Sequence, residues 1–213
     1  MNTLKAILFD VDGTLLDTTE FVYQAFEHSM QTHGFICPNR SEIALNLGKT
    51  LEGLYSHFTQ IPEIDTLNLI ETHRAFQTQN FHLSVPFPNT VSTLQILKDR
   101  GYKLAVLTTR TTRTSLTTLK NADIHEFFDF ILSGDEVEKK KPHPESIERA
   151  LQFFGLTPDQ AVMIGDTDAD ILAGKNAGTK TIGAQYGFYR EKIKDYNPDF
   201  IVEDIADILK ILV

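Results

Sequence analysis

From residue 85 onward, short apolar runs alternate with stretches of helical periodicity, a rhythm that restricts the chain to a parallel sheet with helices on both faces. Strand candidates fall at residues 102–107, 130–132, 161–164, 179–183 and 200–202. Between them, Val91, Leu94 and Leu97 mark one face of a helix that closes at Gly101. Ile147, Ala150, Leu151 and Phe154 mark another that stops at Gly155, and residues 205–213 form a closing helix. Residues 6–9 are also short and continuously apolar, the signature of a strand buried on both sides.

Residues 18–83 break this rhythm. Phe21, Val22, Ala25 and Phe26 give one amphipathic helix, and Leu51, Leu54, Tyr55 and Phe58 another, with no strand-like run between them. So many helices between a first and a second strand exceed a simple crossover. The expected fold class is therefore α/β, a Rossmann-like parallel sheet core built from residues 1–16 and 85–213, with an inserted α-helical domain at 17–84. Pro86 and Pro88 stiffen the return hinge.

In a parallel sheet the residues following each strand converge on one edge, where ligands of such folds bind. The first strand runs into Asp10-Val11-Asp12-Gly13. Extended backbone sends alternate side chains to one side, so Asp10 and Asp12 lean over that edge together, and Gly13 lets the backbone turn closely on whatever binds. Taken alone, this is also how an acidic, solvated strand end would look. A second cluster, Gly165-Asp166-Thr167-Asp168-Ala169-Asp170, follows another apolar run, while Thr108-Thr109-Arg110 and Lys141-Pro142-His143-Pro144 complete the edge. Carboxylates, a hydroxyl and a lysine together suit a phosphate group with a divalent cation. Hard oxygens from Asp10, Asp166 and a main-chain carbonyl fit Mg²⁺, the Thr108 hydroxyl can donate to phosphoryl oxygens, and Lys141 offsets negative charge. Thr108 also reads as a helix cap, and Lys141 as one of three solvated lysines. Residues 166–177 do not make a calcium loop, because Ile171 stands where glycine is needed and Ala177 where a bidentate glutamate is needed. His143 reads as an exposed loop residue.

The net charge of −9, with no basic cluster beyond Lys139-Lys140-Lys141, argues against nucleic acid as a partner. No apolar stretch approaches the ~20 residues of a membrane span and no signal-peptide pattern opens the chain, so no membrane association and a cytoplasmic location are expected. Cys37 stands alone and can form no internal disulfide. Oligomeric state is open.

With these residues assembled, the chain resembles the haloacid dehalogenase-like phosphohydrolase superfamily. Asp10-Val11-Asp12-Gly13-Thr14 matches its first motif, Thr108 its second, Lys141-Pro142 its third and the 165–170 cluster its fourth, in order and over essentially the whole chain. The insert resembles the cap of the phosphoglycolate phosphatase-like branch. The resemblance implies a nucleophilic Asp10 forming an aspartyl-phosphate and an Asp12 general acid/base, with Thr108 and Lys141 stabilising charge. It implies Mg²⁺ at Asp10, the Asp12 main-chain oxygen and Asp166, with Asp170 holding metal-bound water and orienting Lys141. Gly13, Thr14 and Thr109 then lie about the substrate phosphoryl group. Thr109-Arg110 departs from the Asn-Lys or Asn-Ser that often follows the second-motif hydroxyl. Dehalogenases and phosphonate-cleaving relatives lack an acid at position 12, and related phosphomutases carry His where Val22 stands.

The activity implied is phosphoric monoester hydrolysis of a small phosphorylated metabolite, phosphoglycolate phosphatase-like. Inorganic pyrophosphatase, sugar phosphatase or phosphomutase activity, and a non-hydrolytic phosphoacceptor, remain alternatives. Relatives place a substrate-facing loop near Leu47-Gly48-Lys49-Thr50, making Lys49 the candidate contact to a second anionic group, or else a surface lysine beside a helix start.

Overall fold

A computed structural model describes residues 4–46 and 50–212. The chain forms two compact units, Met1–Asp17 with Val85–Val213 and Thr18–Ser84. The strands of the first unit are β1 (Ala6–Phe9), β2 (Leu16–Asp17), β3 (Val85–Pro86), β4 (Lys103–Leu107), β5 (Phe130–Leu132), β6 (Ala161–Gly165), β7 (Lys180–Ala184) and β8 (Phe200–Val202). Six of them form one sheet in the order β5-β4-β1-β6-β7-β8, every neighbouring pair parallel. This is a Rossmann-like sheet, and the order reverses on either side of β1. β2 and β3 pair antiparallel by themselves, Leu16 opposite Pro86 and Asp17 opposite Val85. Two-residue strands are too short to leave a periodicity in sequence.

The second unit is helical: α1 (Thr19–Thr32), α2 (Arg40–Asn46), α3 (Leu51–Thr59) and α4 (Leu67–Gln79). Its core gathers Phe26, Met30, Ile43, Leu54, Tyr55 and Ile70. Thr50 starts α3 by accepting the Gly53 N–H at 3.1 Å. Two buried polar contacts lie inside this unit: the Tyr55 hydroxyl is 2.9 Å from His73 Nδ1, and Ser29 donates to the Leu69 carbonyl at 2.7 Å.

In the first unit the helices α5 (Thr90–Asp99), α6 (Thr112–Asn121), α7 (Glu145–Phe154), α8 (Asp168–Ala177) and α9 (Ile208–Ile211) cover both faces of the sheet. Strand alternation sorts the core. Ile7, Phe9, Leu104 and Val106 pack with Leu94, Leu97, Leu119 and Ile208 on one side. Ala6, Leu8, Ala105 and Leu107 meet Ile147, Ala150, Leu151 and Ala173 on the other. Burying Ile7, Leu8 and Phe9 is worth about 1.5–3 kcal/mol each relative to exposure.

Two helical expectations change. Val91 is 46% exposed, while Thr90 and Thr93 turn inward beside Leu94 and Leu97. At about 100° per residue Val91 lies about 120° from Leu97, off the buried face. The closing helix splits into a 3-10 turn, Ile205–Asp207, and the short α9, because the Asp204 carboxylate accepts the Ala206 N–H at 2.7 Å and tightens the start.

Candidate active site

The reversal at β1 places the ends of β1, β4 and β6 side by side. Asp10 follows β1 and donates its N–H to the Ile164 carbonyl of β6 at 2.9 Å. Asp166 follows β6, and Thr108 follows β4 with its N–H on the Leu132 carbonyl at 3.1 Å. The sheet register thus brings side chains distant in sequence to one edge.

Lys141 joins them. Its ammonium donates to Asp10 Oδ1 at 2.6 Å, Asp170 Oδ1 at 2.6 Å and the Leu107 carbonyl at 2.8 Å, using all three of its protons. The reading of Lys141 as a solvated lysine fails, since its side chain is 4% exposed. Asp170, in the first turn of α8, is fixed through Oδ2, which accepts the Thr167 N–H at 3.1 Å and the Thr167 hydroxyl at 2.6 Å. Asp166 accepts the Phe188 N–H on Oδ2 at 2.7 Å and the Thr14 hydroxyl on Oδ1 at 3.3 Å.

Carboxylate oxygens of Asp10, Asp166 and Asp170 all lie within 4.8 Å of one another, and all three residues are buried. Three carboxylates against one ammonium leave two negative charges without local compensation. Burial accordingly pushes the Asp10 carboxyl up to about 7 against the pull of Lys141, with Asp170 and Asp12 adding to the rise. Burial, then Asp170 and Asp10, hold Asp166 well above the ordinary carboxylate range. The Lys141 ammonium is raised in turn by Asp10 and Asp170, which outweigh its desolvation. A hard divalent cation matches both this charge deficit and the all-oxygen donor set.

Gly13 has a φ of 77°, and a Cβ there would sit 2.1 Å from Asp166 Oδ2. Only glycine allows that approach. Thr14 is buried, whereas Thr109 is exposed. Thr108 does not cap the next helix: Thr111 is the N-cap of α6, and the Thr108 hydroxyl accepts the Arg110 N–H at 3.2 Å. The Asp12 carboxylate is not among the three clustered acids. It is gripped by Arg110, whose Nε and Nη2 donate to Asp12 Oδ2 and Oδ1 at 2.7 and 2.6 Å. His143 lies in the bend before α7 as expected but is half-buried rather than exposed, and its Nδ1 accepts the Glu145 N–H at 3.2 Å. Cys37 is half-buried, and burial pushes its thiol up, away from nucleophilic character. Lys49 lies outside the described residues.

Sequence reasoning did not single out the segment after β7. Gly187 packs so closely that a Cβ would fall 2.3 Å from both Asp166 Cβ and the Gly13 carbonyl oxygen. Tyr186 donates its hydroxyl to the Thr14 carbonyl at 2.8 Å, and Phe188 supplies the main-chain N–H to Asp166. The residue that fixes Asp166 contributes backbone, which no side-chain pattern records.

The family model for haloacid dehalogenase-like hydrolases matches residues 7–184. The chain belongs to that family. This hydrolase is 36% identical over 211 residues to pyrophosphatase PpaX of Bacillus cereus (strain AH820), covering 98% of this chain and 96% of that one. The PpaX of Bacillus anthracis (strain CDC 684 / NRRL 3495) matches with the same identity and coverage. Among solved structures, a haloacid dehalogenase-like family hydrolase from Streptococcus pneumoniae superposes with a TM-score of 0.90 at 29% identity over 100% of both chains. A predicted phosphoglycolate phosphatase from Haemophilus somnus 129pt gives 0.92 at 28% identity, again over 100% of both. The described residues contain no helix long and apolar enough to cross a membrane.

Proposed function

We propose that this hydrolase is a Mg²⁺-dependent phosphatase acting on a small phosphorylated metabolite through an aspartyl-phosphate, with inorganic pyrophosphate as the leading substrate. One observation carries the reading: a buried ammonium joins Asp10 to Asp170 while Asp166 completes a buried three-carboxylate cluster at the sheet's switch point. The choice of pyrophosphate is supported by the two PpaX relatives at 36% identity over nearly the whole chain. Phosphoglycolate is the second reading, supported by the Haemophilus somnus neighbour.

Asp10, Asp166 and the main-chain oxygen of Asp12 would hold the cation, with Asp170 one step further out. When bound, Mg²⁺ supplies positive charge to the phosphoryl oxygens and to the clustered carboxylates. Lys141 occupies Oδ1 of Asp10, so Oδ2 is the proposed nucleophile. Its attack forms an Asp10–phosphorus bond as the bond from phosphorus to the leaving oxygen breaks. Asp12, entering this step as the carboxylic acid with its proton on a lone pair that Arg110 leaves open, gives that oxygen its proton and is left as the carboxylate. Asp12 then takes a proton from water, whose oxygen bonds to phosphorus as the Asp10 bond breaks and phosphate leaves. The Thr108 hydroxyl and Lys141 meet the charge spread over the phosphoryl oxygens. Residues 17–84 are read as the cap domain that selects the substrate.

The test is phosphate release from pyrophosphate, phosphoglycolate and p-nitrophenyl phosphate with Mg²⁺, comparing the native protein with Asp10→Asn. Turnover lost in Asp10→Asn supports the nucleophile, and full retention refutes it. A higher kcat/KM on phosphoglycolate than on pyrophosphate selects the second reading. A single stoichiometric burst without turnover marks a phosphoacceptor instead.

A further inference from the structure

The Asp12–Arg110 pair joins residues 98 positions apart in sequence, and its geometry is more specific than a surface ion pair requires. The guanidinium meets the carboxylate side-on, Nε on one oxygen and Nη2 on the other, and the two side chains are 10% and 25% exposed. Two parallel hydrogen bonds fix the plane of a carboxylate as well as its location, which a single ammonium contact cannot do. Arg110 is itself held at three points. Its Nη1 donates to the Thr118 hydroxyl of α6 at 2.7 Å, its N–H donates to Thr108 Oγ1 at 3.2 Å, and its carbonyl accepts the Gly134 N–H at 2.7 Å. A carboxylate gripped by both oxygens is thereby tied to the scaffold that carries Thr108.

We infer that Arg110 is a positioning residue, which sets the orientation of Asp12 for proton transfer and is braced for that task by Thr118. The inference rests on Asp12 being the proton-transfer group. Asp12 follows the strand end just past Asp10 and is partly buried, and the guanidinium fork engages both of its carboxylate oxygens at once. Misplacing a reacting group by about 1 Å costs on the order of 100-fold in rate, so the effect is expected in kcat rather than in substrate affinity. Leaving groups that need a proton most should suffer most.

The experiment is a double-mutant cycle with Mg²⁺, using Arg110→Ala, Arg110→Lys, Thr118→Val, Asp12→Asn and the Arg110→Ala/Asp12→Asn pair. Substrates are p-nitrophenyl phosphate, which has a good leaving group, and a simple alkyl phosphate, which has a poor one. Arg110→Ala is expected to lower kcat about 100-fold while KM stays within about threefold, and to lower kcat/KM further for the alkyl ester. Arg110→Lys keeps the charge without the fork and should recover little. In the Asp12→Asn background the Arg110→Ala change should cost nothing more. Thr118→Val leaves the pair intact and loosens its brace, so a smaller loss of the same pattern is expected even if Arg110→Ala does not fold. The inference is overturned if Arg110→Ala raises kcat, if Arg110→Lys is fully active, if both substrates lose equally, or if the loss persists unchanged without Asp12. Normal activity in Asp12→Asn itself would instead remove the acid/base reading on which the proposal stands.

Discussion

Replacing Lys141 by Met preserves the length and apolar stem of the side chain and deletes the ammonium. What is lost follows from the geometry: two ion pairs at 2.6 Å and a hydrogen bond to the Leu107 carbonyl, among residues that are 8% (Lys141), 7% (Asp10) and 1% (Asp170) exposed. Removing one partner from a buried pair costs about 3–5 kcal/mol, because the remaining charge is left in a medium that cannot solvate it. In a protein of this size each kcal/mol moves Tm by about 2–4 °C, so Lys141→Met should melt about 6–20 °C lower. The sign of the pH dependence follows from Asp10, whose carboxyl burial pushes from 3.8 up to about 7 even beside Lys141. An acid that titrates higher in the folded protein binds its proton more tightly there than in the unfolded chain. Its contribution to stability is fully present below the unfolded value and is lost as pH rises through the folded one. Without Lys141 the Asp10 carboxyl loses the pull that lowers it, so the deficit of Lys141→Met should be largest near pH 8 and shrink near pH 5.5. Mg²⁺ at about 100 times its Kd adds about 2.7 kcal/mol to whichever protein binds it. Circular-dichroism melts at both pH values, with EDTA and with Mg²⁺, provide the measurement. A Tm within about 2 °C of the native protein near pH 8 in EDTA, or a deficit that widens in acid, would refute the reasoning.

Gly187→Ala should lower stability by about 1–3 kcal/mol and weaken Mg²⁺ binding, because the new methyl group falls 2.3 Å from the Asp166 Cβ; thermal melts and a Mg²⁺ titration of Tm check both parts. Tyr55→Phe removes the hydroxyl that lies 2.9 Å from His73 Nδ1 inside the helical unit and should cost about 1–3 kcal/mol, read by urea denaturation; an unchanged midpoint would contradict the pairing.

The six strands of the main sheet were legible because most are short apolar runs followed by a polar residue and β7, though less apolar, keeps their spacing from the helices; their observed ends differ from the sequence reading by at most one residue. Asp10, Lys141, Asp166 and Asp170 could be brought to one edge on paper, since a parallel sheet aligns whatever follows its strands. The misses share a cause. Arg110 has no local signal for its grip on Asp12, because nothing in sequence couples positions 98 apart. Phe188 acts through its amide, and the role of Gly187 is the space it leaves, neither of which is a side-chain property. Val91 was misread because three apolar residues at spacings of three drift around a helix, and buried Thr90 and Thr93 occupy the face instead.

The two-residue ribbon of β2 and β3 has an evolutionary and engineering consequence. Leu16 faces Pro86 and Asp17 faces Val85, so the chain leaves the sheet unit and re-enters it at points only about 5 Å apart. To the sheet unit, the whole excursion is a closed loop, and the entropy of closing a loop grows only with the logarithm of its length. The ribbon therefore acts as a socket: a segment of different length or architecture can be exchanged for residues 18–84 wherever its own ends meet, without disturbing strand order or register. Such an exchange would leave Asp10, Lys141, Asp166 and Asp170 untouched, since all four belong to the sheet unit.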